Sequence, residues 1–504
     1  MTTAAELGQA YAIEGPALEL GTVVLQGQAF PDARVRLPLS MLTRHGLVAG
    51  ATGTGKTKTL QLMAEQMSTA GIPVFLADVK GDVSGVAAPG IAGERITERA
   101  ADTGTDWVPT AFPAEFLALG GLGTGVPVRA TMTSFGPVLL SKVLGLNETQ
   151  ESSLGLVFHF ADGAGLPLLD LKDLRAVIHH LVSDEGKADL KGLGGLSTAT
   201  AGVILRELIG LEDQGGDVFF GEPEFDTADL LRVAPDGRGV MSVMGLAAVQ
   251  DKPRLFSTFL MWLLADLFHD LPEVGDVEQP KLVSFFDDAS EAFLDAIART
   301  VRLVRSKGVG VFFVTQTPED VPSEVLAQLG NRVQHALRAF TPDDAKALRA
   351  TVSTFPESEA YDLGELLTSM GIGEAAVTIL SERGAPTPVA WTRMRPPASL
   401  MAPLDPAVQT SMVAASSLLA EYGQSIDRDS AYERLLAKVA PEPEPAPRPE
   451  RAERAEPERE GAVARVLGSS VFRSFARSAA SAAGREISRS LFGTAPRRRR
   501  SSRR

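Results

Sequence analysis

The residues best suited to chemistry lie in one run, HGLVAGATGTGKTKTL (residues 45–60), where Gly50, Gly55, Lys56 and Thr57 satisfy the pattern GxxxxGK[ST]. Ala51, Thr52, Gly53 and Thr54 fill the loop between them. In such a loop the glycines let successive backbone N–H groups turn inward on a β-phosphate at a helix N-terminus. Lys56 would then reach the β and γ oxygens, and the Thr57 hydroxyl would ligate Mg²⁺. A glycine-rich turn can match the pattern by chance. Here a short apolar strand (47–49) precedes it and a helix-prone segment (57–67) follows, which is the context a phosphate loop requires.

A second element sits about 230 residues on. In KLVSFFDDASEAF (281–293) an apolar strand ends in Asp287 and Asp288. The first carboxylate of such a pair holds the Mg²⁺ shell and the second orients the attacking water. Strand-terminal acids are common alone and gain weight from the phosphate loop. A third strand, VGVFFVTQTPED (309–320), ends in Thr315 and Gln316. Where an extra strand separates the phosphate-loop strand from the acidic strand, Gln316 would sense the γ-phosphate; Thr-Gln-Thr-Pro is equally ordinary turn chemistry. No NKxD base-reading motif is present, which argues against a Ras-like GTPase, and the long spacing argues against a compact nucleotide kinase.

These residues need elements to hold them. Apolar runs at 74–79, 240–246, 282–286, 309–314, 333–337 and 376–380 are continuous rather than alternating, the mark of parallel strands buried on both faces. The predicted architecture is α/β, a mostly parallel sheet in a core spanning 41–400. Residues 1–40, with short β-like runs at 21–25 and 33–37, read as a small β-element leading into it. Residues 82–239 read as a largely helical insertion, 401–440 as a helical extension, and 441–504 as a charged linker and basic tail.

Composition bounds the function classes. A chain of 504 residues that is 44% hydrophobic can bury a large core. The absence of cysteine excludes a disulfide framework, a thiol nucleophile and a cysteine-held metal. The first residues lack a basic, then apolar, leader pattern, and the apolar run 259–268 is too short for a membrane span and holds Asp266, so a soluble cytoplasmic protein is expected. Of the net charge of −14, residues 461–504 carry about +10 and 441–460 about −3, which leaves about −21 on residues 1–440. An acidic body argues against broad capture of nucleic acid but permits a narrow basic channel. In the tail, Val463, Leu467, Val471 and Phe475 recur every four residues among arginines. That pattern suits either a basic amphipathic helix gripping nucleic acid or an anionic membrane surface, or a disordered solubilising tail.

The segments RHGLVAGATGTGKTKTLQ, FLADVKGD, FFDDASEAF, RSKGVGVFFVTQTP, LGNRVQHALRAFTPDD and IGEAAVTIL occur in order and resemble the HerA-like ATPases of the HerA/FtsK superfamily over roughly residues 15–435. The resemblance implies a RecA-like core of the additional-strand class, ATP and Mg²⁺ as cofactors, assembly as a hexameric ring, and DNA translocation as the superfamily's best known activity. One departure stands out: the family's Asp-Glu-Ala-His is here Asp287-Asp288-Ala289-Ser290, so the base is a methylene shorter, and either Asp288 or Glu291 would position the water. Asp78 and Lys80 match a second-strand Asp-x-Lys element near the nucleotide, or else form a strand-end salt bridge. Arg332, Gln334, Ala336 and Arg338 alternate and would share one strand face. In a ring Arg332 would then supply an arginine finger to the neighbouring protomer; on an edge strand it would simply be exposed. Arg302, Arg305 and Lys307 would line a pore or a solvated helix face. Two functions follow: a DNA translocase or helicase-like motor, or an ATP-dependent assembly or regulatory module acting on protein partners.

Overall fold

A computed structural model describes residues 2–190, 192–287, 294, 301–381 and 383–439. It gathers the apolar runs into one sheet. The strands are β1 (Ala17–Leu25), β2 (Gln28–Pro38), β3 (Gly46–Ala49), β4 (Val74–Asp78), β5 (Ala114–Leu119), β6 (Val126–Val128), β7 (Met241–Gly245), β8 (Leu282–Asp287), β9 (Val309–Thr315), β10 (Asn331–His335), β11 (Glu374–Thr378) and β12 (Ala390–Met394). Their spatial order is β2-β1-β12-β11-β10-β3-β9-β8-β4-β7-β5-β6. From β10 to β6 every neighbouring pair is parallel. From β10 to β2 every pair is antiparallel.

The parallel half is built by burial on both faces. β3, β4, β8 and β9 are buried at every position, as Leu-Val-Ser-Phe-Phe and Val-Gly-Val-Phe-Phe-Val require. Phenylalanines tie the strands laterally: Phe285 stacks on Phe312 at 5.2 Å, and Phe286 lies 6.0 Å from Phe313 and 6.1 Å from Phe75. Phe75 also meets Phe259, 6.3 Å away on the helix Pro253–Asp270. Each fully buried ring of this kind contributes about 1.5–3 kcal/mol.

The antiparallel flank departs from expectation. The run at 376–380 reads as a parallel strand, yet β11 runs against β10. Two helices, Pro342–Ser353 and Leu363–Ser369, lie between these strands; the second returns the chain to the end where β10 stops, so β11 must run back. Its continuous burial comes from packing rather than direction, since Leu363, Leu366, Leu367 and Met370 cover Ala376. Residues 17–38 likewise do not form a separate element: β1 pairs with β12 and closes onto the main sheet.

The chain divides into two compact units, residues 1–128 with 225–424, and residues 129–224 with those from 425 onward. The expected insertion at 82–239 is therefore too long, because β5 and β6 belong to the sheet unit. Ala-Glu-Phe-Leu-Ala-Leu has helical propensity, and pairing with β7 overrides it. The second unit is helical among the described residues, with Leu154, Val157, Leu174, Val177, Ile204 and Leu208 in its core. Buried Asp173 accepts the backbone N–H groups of Leu169 and Tyr432 at 2.9 Å each, which docks the helix Ala431–Val439. The extension expected at 401–440 is thus shared: Pro406–Ala414 and Ser417–Tyr422 lie in the sheet unit, and Ala431–Val439 in the helical one. Residues 440–504, including the linker and basic tail, lie outside the described residues. No helix among the described residues is long and apolar enough to cross a membrane.

Candidate nucleotide site

β3 ends at Ala49, and the helix Lys56–Thr69 begins after Gly55, which offers no side chain to cap it; no acidic residue occupies the first turn. The loop between is stitched to the strand tips on both sides. The Gly50 N–H donates to the carbonyls of Thr315 (3.3 Å) and Gln316 (3.1 Å), and the Ala51 N–H to Ala336 (2.9 Å). Gly50 is obligatory here: its φ is +150°, and a Cβ would lie 2.5 Å from that of His335. Gly55, at φ +120°, would bring a Cβ within 3.1 Å of the Gly373 nitrogen. The Thr54 hydroxyl closes the loop on the Ala51 carbonyl at 2.7 Å. Lys56, only 8% exposed, donates its ammonium to the carbonyls of Gly50 (2.6 Å) and Ala51 (3.3 Å). A buried cation over a glycine loop at an acid-free helix N-terminus fits a polyphosphate.

Strand register brings the other groups to the same edge. Ala49 lies opposite Thr315, and Asp287 opposite Val314, so β9 stands between the phosphate loop and the acidic tip of β8, as an additional-strand core requires. Ala77 lies opposite Phe286, which puts Asp78 at the β4 tip beside Asp287. Asp287 is nearly buried, and the ammonium of Lys80 stands 3.3 Å from its Oδ2. Lys80 therefore makes the strand-end salt bridge, with the metal-ligand candidate as its partner. Asp78 serves the turn instead. Its carboxylate accepts the N–H groups of Gly81 (2.7 Å), Asp82 (3.2 Å) and Val83 (3.0 Å), while burial raises its pKa.

Gln316 follows the β9 tip with an exposed side chain beside Gly50, and Thr315 donates its hydroxyl to Asp320, which also caps Thr317. β10 is interior to the sheet and ends at His335, so Arg338 lies beyond the strand and the expected alternation stops short of it. Arg332 is half-buried, and its guanidinium donates to the carbonyls of Thr354 (2.9 Å), Leu326 (3.3 Å) and Leu329 (3.4 Å) within its own chain. It is the exposed Arg338 that reaches the loop, 3.2 Å from the Thr52 carbonyl. Arg305 pairs with Asp276 at 2.8 Å and Lys307 with Glu273 at 3.3 Å, while Arg302 is exposed. Thr57 is half-buried at the second position of the helix. Asp288 and Glu291 lie outside the described residues.

His335 is a site residue that sequence reasoning missed. Its Nδ1 lies 2.8 Å from the Glu374 carbonyl and must donate, which leaves Nε2 to accept the Thr59 hydroxyl at 2.9 Å. The imidazole is neutral: burial pushes its pKa down to about 4, and the nearby Lys56 charge acts in the same direction. It supports the loop from below and links it to β11. From the far side, Arg99 donates to the carbonyls of Ile372 and Gly373, each at 2.9 Å, and the Gly373 N–H donates to Thr54 at 2.9 Å. Neither partner pair is near in sequence, so only topology could have exposed them.

The residues suit ATP and Mg²⁺. Thr57 and Asp287 offer hard oxygen donors, and a cation already stands at Asp287 in the form of Lys80. Among the described residues no group of three or more histidine or acidic side chains that could hold a metal ion is present.

A family profile described as "Helicase HerA-like C-terminal" matches residues 24–500. No curated protein matches. Among solved structures, the plasmid coupling protein TrwB in complex with the non-hydrolysable ATP analogue ADPNP is similar at a TM-score of 0.53 and 15% identity, over 81% of this chain and 95% of that one. TrwB in complex with ADP and Mg²⁺ gives 0.50 and 16%, over 79% and 96%. VirB4 of Thermoanaerobacter pseudethanolicus gives 0.44 and 15%, over 76% and 97%. With its phosphate loop, its acidic strand tip and the strand between them in place, and a family match over nearly its whole length, the chain belongs to the helicase HerA-like C-terminal family and is an ATP hydrolase of the HerA/FtsK type.

Proposed function

We propose that the chain is a Mg²⁺-dependent motor that assembles as a ring and moves DNA at the expense of ATP. The observation that carries this reading is the row of strand tips: Lys56 and the loop after β3, Gln316 after β9, and Asp287 at the end of β8. Lys56 and the backbone of Gly50 to Gly55 hold the phosphates, and Thr57 with Asp287 would hold Mg²⁺, which neutralises charge developing on the transferring phosphoryl group. Asp288 positions water for in-line attack, and the Gln316 side chain reads the γ-phosphate from between the two machinery strands. In a ring, an arginine from the β10 region completes the neighbouring site; Arg332 would have to leave three carbonyls to do so, whereas Arg338 is exposed.

DNA as the substrate draws on the helicase family and on the likeness to TrwB, a plasmid and conjugative coupling protein. A basic tail on an acidic body would supply the local electrostatic contact to nucleic acid, or to an anionic membrane, from a cytoplasmic protein. The second reading, an ATP-driven assembly or regulatory module working on protein partners, is favoured by one observation: Arg305 and Lys307, the cations expected to meet phosphates, are spent on Asp276 and Glu273. ATP hydrolysis with and without double-stranded DNA at near-physiological salt separates the two. The motor reading expects stimulation by DNA; turnover indifferent to DNA supports the protein-directed module.

A further inference from the structure

Lys80 and Asp287 are 207 residues apart in sequence and meet only because β4 and β8 are neighbours. The arm that carries Lys80 is held firmly. Asp78, 2% exposed, gathers three backbone N–H groups of the following turn; the Asp78 carbonyl accepts the Leu246 N–H at 2.9 Å; and the Gln250 amide donates to the Val79 carbonyl. The two partners of the ion pair are unequally placed. The Lys80 side chain is 46% exposed and that of Asp287 only 7%. The carboxylate belongs to a buried strand tip, whereas the ammonium stands at the solvent edge. A nearly buried carboxylate needs a cation beside it, and two cations on the same oxygens repel each other.

We propose that Lys80 is the resident counter-cation of Asp287, and that a divalent ion entering with the nucleotide must displace it. This rests on the nucleotide reading of the phosphate loop and adds to it a residue that sets how much metal the site requires. Lys80 occupies Asp287 when metal is scarce and shields the phosphates from a bare carboxylate. When Asp287 turns to the metal, Lys80 is released beside the phosphate groups. Asp78 acts as a positioning residue, since it fixes the turn from which Lys80 reaches.

The test is binding of a fluorescent ADP analogue to the full-length protein, wild type, Lys80→Met and Lys80→Arg, with free Mg²⁺ titrated upward from EDTA. Lys80→Met should lower the Mg²⁺ concentration at which affinity has half risen by about twofold to fivefold, the range of a partly exposed ion pair. Its metal-free affinity should fall at the same time, and Lys80→Arg should keep the wild-type midpoint. A midpoint in Lys80→Met equal to or above the wild type, with nucleotide still bound, overturns the exchange and leaves the phosphate site standing. So does Lys80→Arg shifting as far as Lys80→Met, because charge would then not be the cause. If the wild type binds no nucleotide at any Mg²⁺ concentration, the phosphate-loop reading itself falls and the exchange with it.

Discussion

In the antiparallel flank, Glu374 accepts from Arg393 through both Nε (3.1 Å) and Nη2 (2.9 Å), from the Trp391 indole and from the Gly371 N–H (3.0 Å each), while Arg393 also reaches Asp102 at 2.7 Å. Glu19 on β1 likewise meets Arg34, Arg36 and Arg395 at 2.8, 3.0 and 2.8 Å. At the parallel tips the arrangement is different. Lys56 leans on neutral carbonyls, and Asp287 faces a lysine that is half in solvent. In the flank Glu374 is enclosed by donors from Arg393, Trp391 and Gly371, which suits structure; at the tips the Lys80 ammonium beside Asp287 lies at the solvent edge, which suits a charged ligand. Burial alone does not separate the two, since Glu374 and Asp287 have the same side-chain exposure of 7%. What differs is how far the partner cation stands in solvent, 22% for Arg393 against 46% for Lys80.

The strongest break in that comparison is Lys56→Ala. Removing the cation from the loop should cost roughly 10²-fold or more in ATP turnover while leaving the thermal unfolding midpoint close to wild type. Unchanged turnover in the purified variant would move the site elsewhere.

Next is the residue after the β8 tip. Asp288→Asn should keep Mg·ATP binding, which depends on Lys56, Thr57 and Asp287, and lose turnover by about 10²-fold, as expected of a positioned proton acceptor. Asp288→Glu, which restores the family's usual reach, should keep or raise the rate. Steady-state hydrolysis of these variants beside Glu291→Gln decides the assignment: an active Asp288→Asn with a dead Glu291→Gln would hand the role to Glu291.

The flank should respond the other way round. Glu374→Gln takes the charge from the more buried partner of Arg393 and should cost about 1–3 kcal/mol of stability. Denaturant unfolding measures this, and nucleotide affinity should change less than twofold, because His335 bonds the main-chain carbonyl of residue 374 and not its carboxylate. A large loss of affinity with little loss of stability would erase the distinction between the two regions.

The smallest effect concerns pH. His335 and His45 are both buried, and both are pushed down to about 4. As pH falls below about 6.5 the unfolded chain takes up these protons first, so their stabilising contribution, complete above about 6.5, is lost as pH falls towards about 4. The unfolding temperature should drop between pH 7.5 and 5, and His335→Gln, which can still donate and accept, should drop less. An equal drop in the variant would remove His335 from the acid response.

Much of this could be seen in the chain itself. The glycine loop between β3 and the helix Lys56–Thr69 was legible because its demands are local: Gly50 and Gly55 take unusual backbone angles, and the helix follows at once. The strands β3, β4, β7, β8 and β9 were legible because burial on both faces demands continuous apolar runs. The direction of β11 was not, because a buried run looks the same either way and two helices decide where the chain returns. β5 was hidden by residues that favour a helix when alone.

By itself, then, the sequence determined where a glycine loop joins a strand to a helix and which segments must be buried, since backbone conformation and hydrophobicity act over a few residues. Only the tertiary structure decided who stands beside whom. That β9 separates Ala49 from Asp287, that Lys80 reaches Asp287, that Arg332 is occupied by carbonyls of its own chain, and that His335 supports the loop all depend on lateral strand order. That order is set by the packing of strands distant in sequence, and no local spacing encodes it.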